Sequence, residues 1–209
     1  MRRTRRAVPK RVIADSGSAP TFRTVYSGVG RDGERFQFIL FANGGMGARP
    51  TLDGLPCTPY PTNSACASIE VMESMTPLVV WARQVRADSG GAGTWRGGYG
   101  QEIVVQVASA EPIMVSVISD RGKHPAQGLV GGLPGAPVEV ELLNRGLELP
   151  RKGRVILQPG DVLALRYAGG GGYGDPSRRD RPLVRADVRN GVISAEAALQ
   201  LYGLKSPLS

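Results

Sequence analysis

Apolar and polar positions in this chain change places with the short period of β-strands. Glu34-Arg-Phe-Gln-Phe-Ile-Leu-Phe41 begins in alternation and ends continuously apolar. Leu78–Val85, Glu102–Val107, Ile113–Ile118, Val138–Leu143 and Asp161–Tyr167 are half-buried or buried strands by the same criterion. Turn residues punctuate them, as in Gly131-Gly-Leu-Pro-Gly135 and Gln158-Pro-Gly-Asp161. The pattern predicts a mainly β protein, its antiparallel sheets folded as a sandwich or a barrel. One short C-terminal helix is predicted over Ala195–Leu201. Ser194 caps it, Glu196 stands in its first turn and Gly203 ends it. The stretch from Asn63 to Ser74 is ambiguous. A helix would place Glu70 and Glu73 on one face, and a strand would place them on opposite faces. Ile69, Val71 and the shortness of the run favour a strand.

Glycine changes this picture. The chain has 29 Gly and 16 Pro in 209 residues, and two blocks concentrate the glycines: Asp88–Gly100 and Tyr167–Pro176. Each adjoins a strand-like run and carries aromatic and charged residues. They are therefore expected to be tightly folded, ordered loops anchored by Trp95, Tyr99 and Tyr173, and not linkers. Residues 28–33 and 169–174 both match GxGxxG, a phosphate-binding pattern only where a helix follows. A strand follows the first, with Asp32-Gly33 as its hairpin turn, and Asp175-Pro176 breaks the chain after the second. Residues 1–20 are expected to form a basic tail or strap, 21–176 the β-rich region, and 177–209 a tail carrying the short helix.

The net charge is +8. Arg2, Arg3, Arg5, Arg6, Lys10 and Arg11 precede the first acid, Asp15, and the remaining 20 basic residues nearly balance 18 acidic ones. The basicity belongs to a tail. It lacks the aromatic interleaving and the motifs of nucleic-acid binding, which is not expected. No apolar run approaches the length of a membrane span, and no apolar stretch follows the basic N-terminus as in a secretory signal. Cys57 and Cys66 show no metal-type spacing, which suits a reduced cytoplasmic protein.

Candidate chemistry is sparse. His124 is the one histidine, so imidazoles of this chain cannot build a metal site. It follows Asp120-Arg121-Gly122-Lys123 just past a strand end, as a loop residue, a general acid or a substrate contact. No Ser-His-Asp set or nucleophile elbow is present. Glu70 and Glu73 stand near Asn63 in apolar surroundings, where carboxylates must pair, ligate or stay at the surface. Arg96 and Arg121 are natural structural partners for them. These residues alone describe no self-contained catalytic site.

Taken in order, the motifs resemble the C-terminal part of the hydantoinase B/oxoprolinase family. They are Gly44-Gly-Met-Gly-Ala-Arg49, Asp53-Gly54, Asn63, Ile69–Glu73, Pro77-Leu78, Asp88–Gly93, Arg96-Gly-Gly98 with Gly100, Ser119-Asp-Arg121, Pro125, Gly128-Leu129, Gly131-Gly132, Pro159-Gly-Asp161 and Gly169–Pro176. The resemblance runs over roughly residues 20 to 176, and Asp187–Tyr202 resembles the family's tail. Family members are usually much longer, and the His and Asp residues that hold their metal lie in an N-terminal part with no match here. Ser68 stands where the family often has proline.

The resemblance implies one piece of an ATP-dependent amidohydrolase or carboxylase complex, acting on a hydantoin, lactam, oxoproline or ketone. No cofactor is expected on this chain alone. ATP and Mg would be bound by a hydantoinase A-type partner, and a divalent metal by the subunit carrying the missing N-terminal part of hydantoinase B. This chain would help complete the site where the phosphorylated substrate reacts. Asp120, Arg121, Glu70 and Glu73 are the candidate catalytic residues, with Asn63, Arg96 and His124 as substrate contacts. Arginine at 121 suits a bidentate clamp on a carboxylate or phosphate-like group. The alternative is a non-catalytic assembly or binding module that keeps the fold.

Overall fold

The computed structural model describes residues 11–17, 22–60, 63–64 and 66–204. The predicted β-rich architecture is present as two antiparallel sheets packed face to face. Strands β1 (Phe22–Val29), β2 (Arg35–Ala42), β5 (Ile113–Ile118) and β8 (Lys152–Leu157) form one sheet in the order β2-β1-β5-β8. Strands β3 (Leu78–Val85), β4 (Gln101–Val107), β6 (Glu139–Leu142), β7 (Leu147–Glu148) and β9 (Val162–Arg166) form the other, in the order β3-β4-β9-β6-β7. The two sheets do not close on each other, so of the two predicted forms the sandwich is realised. The expected hairpin joins β1 to β2, with Gly33 at φ 82° and Gly30 N–H on the Glu34 carbonyl at 2.7 Å.

Alternation fixes which face of each strand meets the core. Phe22, Tyr26, Leu40, Val115 and Leu157 point inward from one sheet, and Ile103, Val105, Leu163, Leu165 and Val140 from the other; all are buried. β1 and β8 lie outside the runs singled out from the sequence. Arg23 and Ser27 interrupt β1, and Lys152, Gly153 and Arg154 open β8, so each strand is legible only beside its neighbours.

Three helices occur among the described residues: α1 (Ile69–Met75), α2 (Arg181–Arg189) and α3 (Ala195–Tyr202). The last is the predicted one, with Ser194 Oγ accepting from Ala197 N–H at 3.1 Å and Gly203 at φ 66°. The expectation of a strand around Ile69 is corrected. Ser68 caps a helix there by accepting from Val71 N–H at 3.3 Å, and Met72 is buried. Capping and one buried side chain outweigh the β-branched residues. α2 starts with Pro182 in its first turn, a position where proline is tolerated.

The glycine blocks are packed rods and not turns. Residues 168–172 run through the centre of a bundle and make no hydrogen bonds to one another. Their N–H groups donate outward in rotation: Gly169 to Ala136, Gly170 to Gly98, Gly171 to Asp15 and Gly172 to Leu133, at 2.9–3.2 Å. Three residues on, the direction returns to the same neighbouring segment, the period of a polyproline II-like chain. Gly45, Gly91, Ala48 and Leu129 donate back to Ala168, Gly170, Gly171 and Gly172. A Cβ on Gly97 would lie 1.9 Å from the Gly170 carbonyl oxygen, and one on Gly169 1.7 Å from that of Ser89. None of Gly97, Gly98 and Gly169–Gly172 has positive φ. Glycine is required there for close approach, the reason that sequence left joined with backbone freedom.

Candidate functional site

The loop after β5 is tied to the chain entering β8. Ser119 donates to the Arg151 carbonyl from its N–H at 3.2 Å and its Oγ at 2.6 Å. Arg151 Nε donates to the Val138 carbonyl at 2.8 Å, and Val138 N–H to the Arg121 carbonyl at 3.3 Å. These two segments line a cavity of about 780 Å³, which includes Asp120, Arg121, Lys123, His124, Arg151 and Lys152. Three of the sequence-predicted site residues, Asp120, Arg121 and His124, are thus brought together.

Arg121 has φ 64°, the left-handed region that a non-glycine residue adopts only when held there. It is held by a fork: Nη1 and Nη2 each donate to a carboxylate oxygen of Asp15 at 2.7 Å. The clamp expected for a carboxylate group is formed, but on a carboxylate of this chain. Asp120 pairs with Lys152, and Arg151 with Glu148. Lys123 and His124 are exposed and have no ion pair among the described residues. The cavity therefore offers two open cation or donor groups on a loop fixed by Arg121–Asp15. It is suited to receiving an anionic or carbonyl group, and it holds no nucleophile beside a base.

The other candidates stand elsewhere. Glu73 Oε1 accepts from Val80 N–H at 2.8 Å and fixes α1 against β3. Glu70 is exposed in the first turn of α1, and hydrogen bonds from its own backbone and from Ser68 hold its carboxyl below the usual range. Asn63 is exposed at φ 54° and donates from its backbone to the Pro59 carbonyl at 2.5 Å. The helix that carries Glu70 and Glu73 adjoins β3 and β2, and β2 is the edge of the four-stranded sheet opposite β8, whose start lines the cavity.

Arg96 belongs to a buried network that sequence reading did not find. Arg179, with a side chain 1% exposed, grips both carboxylate oxygens of Asp53 at 2.7 and 2.8 Å and reaches Asp187 at 2.9 Å. Arg96 Nε donates to Asp187 at 3.1 Å, and its guanidinium lies 4.2 Å from the centroid of the Tyr99 ring. Burial raises the Tyr202 hydroxyl in the same cluster to about 12. The network joins α2 to the glycine bundle. Arg179 and Asp53 are 126 residues apart, and no local spacing announces such a pair.

Among the described residues no group of three or more His, Cys, Asp or Glu side chains could hold a metal ion. With one histidine in the chain, the residues do not fit the divalent metal that the resemblance implies. Gly169–Gly174 is enclosed by neighbouring chain segments, and Asp175 then caps a 3-10 turn by accepting from Ser177 N–H at 2.9 Å. No helix of the described residues is long and apolar enough to cross a membrane.

Known proteins are similar to this chain in sequence and, where solved, in fold. An uncharacterized protein of Methanocaldococcus jannaschii is 37% identical over 139 residues, covering 66% of this chain and 24% of that protein. Caprolactamase subunit beta of Pseudomonas jessenii is 30% identical over 210 residues, covering 95% of this chain and 36% of the subunit. The crystal structure of the ATP-dependent caprolactamase from that organism superposes with a TM-score of 0.83 at 26% identity, over 96% of this chain and 37% of the other. The chain thus spans little more than a third of the length of these relatives, at most. The family model for hydantoinase B/oxoprolinase matches residues 1–176, which hold both sheets and both glycine blocks. That match over most of the chain, with 30% identity to the caprolactamase subunit across 95% of it, establishes that the chain belongs to the hydantoinase B/oxoprolinase family.

Proposed function

We propose that this chain supplies the C-terminal third of a hydantoinase B-type subunit in an ATP-dependent complex. The complex would open a cyclic amide or carboxylate a ketone. The carrying observation is that nearly the whole chain aligns with little more than a third of a much longer subunit of an ATP-dependent caprolactamase. In this reading a hydantoinase A-type partner binds ATP and Mg and phosphorylates a carbonyl or enol-type oxygen. The divalent metal sits on the part of a hydantoinase B-type subunit outside the region matched by this chain. The chain contributes the cavity, where Lys123 and His124 meet the activated intermediate and Arg121 acts as a positioning residue by holding the loop.

The test is to isolate the tagged chain from its own cells, identify co-eluting polypeptides by mass spectrometry and assay the assembly on lactams, hydantoins and ketones with ATP. Co-elution of both partner types, with ATP-dependent turnover by the assembly and none by the chain alone, is expected. A chain that elutes without either partner, or that turns over these substrates unaided, would end this reading.

A further inference from the structure

The outer faces of the two sheets are built for different neighbours. On the five-stranded sheet one cross-strand rank reads Gln84, Glu102, Arg166, Glu139. Arg166 donates to Glu102 and to Glu141 at 2.7 Å each, and Gln84 to Glu102 at 2.8 Å. This face satisfies its own charges and suits water. The outer face of the four-stranded sheet carries Phe41, Ile39, Val25, Ile118, Met114 and Ile156 in three adjoining ranks. Ile156 is 65% exposed, and Ile39, Met114 and Ile118 are also exposed. β2 ends and β5 runs almost continuously apolar, the signature of strands covered on both faces. Interleaved with these residues are Arg23, Arg154 and Lys152, and the three ranks contain no carboxylate. Arg23 and Arg154 have no ion pair among the described residues.

Resting on the reading above, we propose that this face is where the remaining part of a hydantoinase B-type polypeptide docks, through an apolar surface that bears carboxylates. Charge selects that occupant. Residues 1–10 of this chain carry Arg2, Arg3, Arg5, Arg6 and Lys10 and no acid, the same sign of charge as the face and not its complement. A second copy, paired about a two-fold axis, would bring two faces whose Arg23 and Arg154 have no ion pair against each other, with no carboxylate in the three ranks to offset them. The relatives carry nearly two-thirds of their length beyond the region matched here, which gives the face a covalently related neighbour to meet. Aromatic residues, methionine and arginine among aliphatics are also the composition of interface cores. The rank ending in Ile118 and Lys152 stops at the cavity, so a chain docked here passes its mouth. A shared site is thereby completed by contact.

The closing experiment compares the wild-type chain with Ile156→Glu, Arg154→Glu and Trp81→Ser; Trp81 is an exposed residue on the other sheet. Each is titrated against the co-purified hydantoinase B-type polypeptide. Ile156→Glu and Arg154→Glu should weaken binding tenfold or more with unchanged melting of the free chain, while Trp81→Ser binds as wild type. Oxidative footprinting of the unmutated complex should protect the Met114 sulfur, a readout independent of how any variant folds. Equal binding by all variants with Met114 unprotected overturns the docking face and leaves the proposed function standing. Failure of the wild-type chain to bind any such polypeptide overturns both. An Ile156-dependent homodimer assigns the face to a second copy and also overturns the proposal.

Discussion

The sandwich and the glycine bundle are two cores held together by different means. In the sandwich, side chains such as Leu163, Leu165, Ile103 and Val115 exclude water and fill the space between sheets. In the bundle the filling is backbone. Gly97, Gly98 and Gly169–Gly172 approach neighbouring carbonyls so closely that a methyl group has no room, and hydrogen bonds between rods take the place of side-chain contacts. A side-chain core relaxes around a lost methylene. A backbone core has nothing to move except the chain itself.

The largest effect is therefore expected from the smallest residue. Gly97→Ala, with its Cβ 1.9 Å from a carbonyl oxygen, should cost beyond about 5 kcal/mol, enough to prevent folding. Gly160→Ala is the contrast. Gly160 has φ 84° but nothing within 4 Å of an added Cβ, so only the left-handed penalty of about 1–2 kcal/mol applies. Urea melts of the two variants decide it, and equal losses would break the distinction between the cores.

Arg179→Met comes next, because it removes the bidentate partner of Asp53 and leaves the buried Asp187 with Arg96 alone. A loss of about 3–5 kcal/mol is expected, with α2 losing hydrogen-exchange protection before the sheets do. Leu163→Ala, in the centre of the sandwich, should cost about 2–5 kcal/mol and unfold the chain as one unit. If this substitution proves costlier than Gly97→Ala, the side-chain core is the less forgiving one.

Arg121→Lys and Asp15→Asn probe the seam between bundle and cavity. Each should destabilise by about 1–3 kcal/mol, and the double variant by little more than either alone. In the assembled complex, Arg121→Lys should reduce turnover through loop position, with no change in the pH profile. Additive losses would mean that the two residues do not act together.

The smallest effect is alkaline. Burial pushes the Cys57 thiol up to about 11, and its Sγ lies 3.6 Å from the Gly100 carbonyl at the edge of the bundle. An unfolded cysteine ionises near about 8.5. Above that pH the unfolded chain loses its proton first, so the folded state loses stability until the folded group also ionises. The urea midpoint should fall between pH 8 and 10, and Cys57→Ala should flatten the slope.

Strands with alternating runs of their own, such as Gln101–Val107 and Ile113–Ile118, were legible because each residue's side is set by period alone. The capped helix Ala195–Tyr202 was legible for a similar local reason. The helix at Ile69–Met75 was not, since capping by Ser68 and burial of Met72 compete with residues of β propensity. Asp120, Arg121 and His124 could be grouped in advance because they are neighbours in sequence. Lys152 and Arg151, which face them, could not, because the strand that Lys152 opens, directly after Arg151, begins with charge and glycine.

Composition and period by themselves determined that this protein would be mainly β, that its glycines would be ordered, and that no metal site could be built on several imidazoles of this chain. Those are properties of residue type and nearest neighbours. Tertiary structure alone decided that the glycines form rods sharing hydrogen bonds in three directions. It also decided that the Arg121 fork closes on Asp15, and that one sheet face settles its charges while the other leaves Arg23 and Arg154 without an ion pair among the described residues. Each of these depends on which distant segments come together, and the separation of 126 residues between Asp53 and Arg179 is beyond the reach of any local pattern.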